Sequence, residues 1–223
     1  MRPFYLHIGT HMAGTAGLHG WLHDAAPRLA AKGTGLFIEG PAASAGTLPL
    51  ANAVLRPSLR TPARMAGRTK PPGLWGRLKV LARLRGLCAN PDIKRFVASA
   101  ESLCFAREDV EAERLRWFFK VADVQIVPVV CFRNEMHWRA MWERELLKHG
   151  SHWRYGLGMD DIREDWVFDR EEIVRFWRRF GSVRVVDYDR EIEERGTVLP
   201  ALLNAVGVMT EADQGRMYLD RSA

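Results

Sequence analysis

The sequence is poor in cysteine and has no long apolar run. Its three cysteines, Cys88, Cys104 and Cys131, are an odd number and fit neither a zinc-site nor a thioredoxin spacing. That disfavours a disulfide-stapled domain and leads to the expectation of a reduced, cytoplasmic setting. No apolar stretch approaches the roughly 20 residues that a membrane-spanning helix needs. The first residues, Met1 to Gly9, hold one basic side chain and a short strand-like run, without the apolar core of a secretory leader. There is no internal repeat, and compositional bias is confined to one Pro/Gly/Arg-rich stretch.

What remains is ordinary globular material. The chain has 223 residues, 47% hydrophobic and 27% charged. That suffices for one domain with a sizeable core and excludes global disorder. The net charge of +6 is unevenly placed. Between Arg56 and Arg95 there are eleven Lys/Arg and one acid, Asp92, a balance of +10. The remainder has 22 basic and 26 acidic residues, a balance of −4. A mildly acidic body with one basic segment points to an anionic partner: a nucleotide, a sulfated sugar, nucleic acid or a membrane surface.

Hydrophobic patterning predicts alternating strands and helices. Phe4 to Ile8 reads as a buried strand, Gly14 to about Lys32 as a helix, and Leu36 to Ile38 as a second short strand. Residues 40–73 show no sustained period and read as a long irregular segment. Leu74 to Leu87 reads as a basic amphipathic helix with Leu74, Leu78, Leu81 and Leu84 on one face. Strands are expected at 95–99, 124–132 and 183–186. Helices are expected at 108–121, 134–149 and 197–206, and from a cap at Asp169. The expected fold is an α/β domain with a central, mainly parallel sheet covered on both faces, hence three layers. The whole chain, 1–223, reads as a single domain with a basic, partly irregular insertion at about 40–92. Such sheets bind ligands beyond the carboxyl ends of their strands, which directs attention to the loops after Ile8, Ser99 and Phe132.

Three stretches there could carry chemistry. The first is His7-Ile-Gly-Thr-His-Met-Ala-Gly-Thr-Ala16, between a strand and a helix. Its amides can face an anion at the helix N-terminus, and Thr15 can add a hydroxyl. A plain strand-to-helix turn is an equal reading of position alone. The second is Cys131-Phe-Arg-Asn-Glu-Met-His-Trp-Arg-Ala-Met-Trp142, which sets Arg133 at a strand end. The third is Val97-Ala-Ser-Ala-Glu-Ser-Leu103, where Glu101 can take a hydroxyl proton or merely pair with a cation.

Together these stretches resemble the sulfotransferase family, a P-loop α/β fold. The first resembles its 5′-phosphosulfate loop, HIGxxKTGTT, through His7, Ile8, Gly9, Gly14 and Thr15. The second resembles its 3′-phosphate motif through Arg133, and the third its SSE stretch. The resemblance implies 3′-phosphoadenosine 5′-phosphosulfate as donor and a hydroxyl acceptor, of which a carbohydrate is one candidate. His11, Met12, Ala13, Gly14, Thr15, Ala16 and Arg133 would bind the donor, with Glu101 and His11 catalytic. Several positions depart from the pattern. Met12 replaces the family's Lys, Ala13 and Ala16 replace Thr, and Met141 stands at the Ser position.

His7, His11, His19 and His23 form two H-x₃-H pairs, but the ligand set is incomplete and no metal site is expected. The late tryptophans read mostly as packing residues. Two alternatives stand beside the transferase reading. One is an impaired relative that binds a nucleotide or anionic glycan. The other is a basic module for membrane or nucleic acid, although residues 56–95 lack the aromatic interleaving of single-strand binders, and nucleic acid is the less expected partner.

Overall fold

The structure, a computed structural model, describes residues 1–38, 48–65, 67–148 and 165–209. Its centre is a five-stranded, all-parallel sheet in the order β2-β3-β1-β4-β5. The strands are β1 (Arg2–His7), β2 (Thr34–Leu36), β3 (Arg95–Ser99), β4 (Val124–Phe132) and β5 (Arg184–Asp187). Leu6 of β1 pairs in register with Ala98 of β3 and with Pro128 of β4. Pro128 is tolerated because its nitrogen points away from β1. The neighbouring Val129 carbonyl accepts from Ile8, and β5 pairs with β4 only from Val129 onward.

The period of two along each strand divides the core into two layers. Phe4, Leu6, Phe96, Ala98, Ile126 and Val130 pack on one face. There they meet α3 (Leu48–Val54), α5 (Leu74–Cys88), α6 (Asp109–Val121), α7 (Glu135–Lys148) and α8 (Arg170–Trp177). Val97, Val129, Cys131 and Val186 face the other way. Their partners are α1 (Thr15–Asp24), α2 (Ala26–Ala31) and α10 (Leu199–Ala205). The three-layer α/β arrangement expected from the pattern is therefore present.

Three local expectations change. The helix read over 14–32 is two helices, broken at Ala25 because Pro27 lies in the first turn of α2 and could not continue α1. The second strand lies at Thr34–Leu36, not 36–38. Within the segment read as irregular, α3 and the single turn α4 (Pro62–Met65) are helical. Leu50, Ala51, Ala53 and Val54 of α3 are buried, a helix too short to display a period. Residues 40–47 and 66 of that segment, and 149 at the end of the expected helix 134–149, lie outside the described residues.

The basic segment is a packed layer rather than a loose flap. α3 contacts both α6 and the 3₁₀ turn Glu101–Phe105, and α5 contacts α3 and α6. Two of its arginines are spent inside. Arg56 pairs with the fully buried Glu111 at 3.1 Å. Arg64 donates to the carbonyls of Asn52 and Leu55 at the end of α3 and to those of Arg56 and Leu59 in the turn that follows. On α5 the buried face is Val80, Leu81, Leu84 and Cys88, whereas Leu74 is exposed.

The connection leaving β1 passes over the α1 face, and the connection leaving β4 passes over the opposite face. β1 and β4 are adjacent, so their carboxyl ends open a crevice between diverging connections.

Candidate functional site

The loop from Ile8 to Gly14 continues β1 along β4. The Ile8 amide donates to the Val129 carbonyl, and the Cys131 amide donates to Gly9. Thr10 donates to the Cys131 carbonyl through its amide and through its hydroxyl, at 3.2 and 2.9 Å. Gly9 has φ 111°, and a Cβ there would lie 2.6 Å from the Glu101 carbonyl oxygen. Only glycine permits that approach of the loop to the end of β3.

The chain then turns into α1 through Met12 at φ 63° and Gly14 at φ 87°. Gly14 occupies the N-cap position, with no side-chain cap and no acidic residue in the first turn. The first helical bond runs from the Leu18 amide to the Gly14 carbonyl. The amides of Gly14 to Gly17 thus have no helical carbonyl behind them, and the positive end of the helix dipole is not offset locally. Thr15 is 6% exposed, and its hydroxyl is buried without a hydrogen-bond partner. A buried donor of this kind costs free energy unless something occupies it.

Arg133 follows β4 on the same end of the sheet. Its guanidinium donates to the Met12 carbonyl at 2.9 Å and stacks over the Tyr188 ring at 4.1 Å. Tyr188 opens α9 (Tyr188–Arg195) directly after β5, a helix the sequence pattern did not reveal. Arg170 of α8 donates to the Arg133 carbonyl. The structure therefore joins two of the expected positions, Met12 and Arg133, at the crevice between β1 and β4, and Thr15 opens α1 three residues after Met12. Ala13, at the turn into α1, is fully buried in the smaller core, so it can offer only its backbone. Met141, on α7, is half-buried and carries no hydroxyl to share with Arg133.

On the β3 side, His11 Nδ1 lies 3.3 Å from a Glu101 carboxylate oxygen. Phe105 and Trp142 hold the imidazole, with ring centroids 5.2 and 4.9 Å away. His11 Nε2 is buried without a partner. Burial would raise the Glu101 pKa, but the charge and hydrogen bond of His11, with smaller contributions from His19 and His7, lower it to about 2. The carboxylate is ionised at neutral pH and faces His11 Nδ1, which fixes the orientation of the imidazole and leaves Nε2 as the atom free of protein partners. As a base Glu101 is weak; as an orienter of His11 it is well placed.

Beneath the loop lies a polar cluster not singled out as a unit in the sequence. His7 and Ser99 are register partners at the ends of β1 and β3, and Ser99 Oγ is 2.8 Å from His7 Nδ1. The same hydroxyl is 2.7 Å from His19 Nε2 on α1. One hydroxyl proton can serve one imidazole while the oxygen accepts from the other, which requires the ring that accepts to be neutral. Burial first, then the neighbouring His19, drives the His7 pKa down to about 3 despite Glu101. Burial also lowers that of His19. A polar residue closing each apolar strand was the available signal. His23, the other half of the His19 pair, is exposed beside Asp24. Among the described residues no group of three or more His, Cys, Asp or Glu is arranged to hold a metal ion. Nor does any described helix have the length and apolarity to cross a membrane.

No family model and no curated protein matches the chain.

Proposed function

We propose that the chain is a sulfotransferase-like protein that moves a sulfuryl group from 3′-phosphoadenosine 5′-phosphosulfate to a hydroxyl acceptor, with a carbohydrate as one acceptor class. The observation that carries this reading is the uncapped N-terminus of α1, with the unpartnered Thr15 hydroxyl, at the crevice between β1 and β4. The residues fit the donor's phosphate in part. The amides of Gly14 to Gly17, the Thr15 hydroxyl and Arg133 would hold it, while Met12 offers no cation.

In this reading His11 Nε2 takes the proton from the acceptor hydroxyl as its oxygen attacks sulfur. The bond from sulfur to the leaving phosphate oxygen breaks, and that oxygen gathers negative charge. Glu101 holds the imidazole in position and offsets the charge that His11 gains. First-turn amides and Arg133 stabilise the leaving group, without the Lys that the family places at position 12. A missing donor of this kind costs about 10²–10³ in rate.

A second reading, binding without efficient turnover, draws support from Arg133. Its guanidinium is already engaged by the Met12 carbonyl and the Tyr188 ring. The buried, free cysteines accord with the proposed reduced, cytoplasmic setting. Calorimetry with 3′-phosphoadenosine 5′-phosphate, beside turnover of labelled donor, tests both readings. Binding with turnover supports transfer, binding without turnover supports the second, and no binding removes both.

A further inference from the structure

The outer surface of α5 and α6 combines two properties seldom found together on a solvated face. The first is exposed apolar bulk. Of the large apolar side chains that stand exposed, Leu74, Trp75, Val110, Trp117 and Val121 all belong to these two helices, and Trp75 is 78% exposed. Trp117 precedes Val121 by four residues and shares its stripe on α6. A shallow apolar groove of about 460 Å³ runs along α5 to Val121, lined by Leu78, Leu81, Ala82, Gly86 and Ala89. Arg85 is its one charged lining residue.

The second property is positive charge. Lys79 and Arg85 on α5, Lys120 on α6, and Arg68 and Lys70 just before α5 are exposed. Asp92 is the only acid between residues 56 and 95, and on α6 the exposed Glu113 stands one turn before Trp117, so the cations outnumber the acids on this face. The exposed cations are those that the segment's internal network does not use, since Arg56 and Arg64 are directed inward.

We propose that this face is a peripheral docking surface for a bilayer rich in anionic headgroups. Lys79, Arg85, Lys120, Arg68 and Lys70 meet lipid phosphates, and Trp75 with Leu74 enters the interface at the start of α5. Charge complementarity selects this occupant. A second copy would set one cationic face against another, at a repulsive cost. A single nucleic acid strand would use a series of stacking rings along a basic groove, whereas this face has two exposed rings, Trp75 and Trp117, on different helices, and its groove is lined by aliphatic, Ala and Gly residues. Small residues at 82, 86 and 89 let the helix lie close to the headgroup plane, where short-range cation–phosphate attraction is largest. Tryptophan beside aliphatic residues is the composition of interfacial anchors. The proposal stands independently of the sulfuryl-transfer reading, because it uses none of that site's residues.

The test is co-sedimentation of the full chain with vesicles of phosphatidylcholine alone and of phosphatidylcholine mixed with phosphatidylglycerol. Binding is expected only to the anionic vesicles and is expected to weaken steeply with salt. The double variant Lys79→Gln/Arg85→Gln should lose about thirtyfold in affinity, a factor of about five for each cation removed. Trp75→Ser should weaken binding while leaving the thermal melt unchanged, since the ring is exposed. Failure to bind anionic vesicles overturns the proposal, as does equal binding by wild type and both variants. Tighter binding to a single-stranded oligonucleotide than to vesicles, lost in the same variants, reassigns the face to nucleic acid. A dimer that the variants dissolve reassigns it to self-association.

Discussion

The Arg133 guanidinium donates to the main-chain carbonyl of Met12 at 2.9 Å, so the residue after β4 fastens the loop after β1. One side chain thereby couples the two strands that border the crevice. Arg133→Ala is expected to lower the affinity for 3′-phosphoadenosine 5′-phosphate by about tenfold to a hundredfold, the range for a hydrogen bond to a charged group. Calorimetry measures it. Unaltered affinity would make Arg133 a loop fastener alone.

Met12 sits at φ 63°, a conformation as uncomfortable for Met as for Lys. Met12→Lys therefore adds a cation without a new backbone cost. It is expected to raise donor affinity or turnover, by up to about 10²-fold in rate if the ammonium reaches the leaving oxygen. A fall in turnover would show that the loop works by other means.

Glu101→Gln keeps the size of the side chain and removes its charge. The expected result is a lower kcat with little change in KM for the acceptor, and a displaced acidic limb of the pH–rate profile. Turnover by wild type is expected to vanish in His11→Ala. A pH profile untouched by Glu101→Gln would mean that Glu101 does not orient His11.

Acid should destabilise the fold well before ordinary carboxylates titrate. His7 has a folded pKa of about 3 against an unfolded value of 6.5, so between these the unfolded chain binds more protons and stability falls as pH drops. His19, also lowered by burial, acts in the same direction. Glu101, lowered from 4.5 to about 2, contributes stability that is present above 4.5 and lost as pH falls towards 2. Urea midpoints should therefore decline from about pH 6.5 downward. His7→Gln should flatten the upper part of that decline whatever it does to absolute stability.

Glu111 is fully buried and accepts from the amides of Arg56, Arg107 and Glu108 and from the Arg56 guanidinium. It also closes the capping box of α6 with Glu108. Glu111→Gln turns one acceptor into a donor facing other donors. A loss of about 3–5 kcal/mol is expected in urea unfolding, the cost of breaking a buried ion pair on one side.

β1, β3 and β4 were legible because each is a short, largely apolar run closed by a distinct chemical signal, whereas β2, Thr-Gly-Leu, carries no such run. Val124 to Phe132 is identical in the reading and in the structure. Helix α9 escaped because Tyr188 to Arg195 is almost wholly polar, buries no residue and is held by Glu–Arg pairs such as Glu191–Arg195. α3 escaped because Leu48 to Val54 is apolar all round and only two turns long. At the site, Arg133, Thr15, Glu101 and His11 could each be named from loops at strand ends, but the pairing of Glu101 with His11 is seen only in the structure. The His7–Ser99–His19 cluster needs the register of β1 with β3, which no local pattern encodes. That Met12 would offer its carbonyl, rather than its side chain, depends on a backbone turn that the residue type does not announce.

The central position of β1 has a consequence for synthesis. β1 leaves the ribosome before both of its neighbours, which exist only once residues 95–99 and 124–132 have followed. Until then Phe4, Leu6 and Ile8 have no layer to enter, and both strand edges are open to wrong pairing. The loop that follows β1 is held through Cys131, so a nascent chain cut short of that residue lacks the bonds that shape it. The hydrogen-bonded shape of this loop is thus acquired in a late step of elongation, and a ribosome-bound series of growing lengths should gain it once β4 has cleared the exit tunnel.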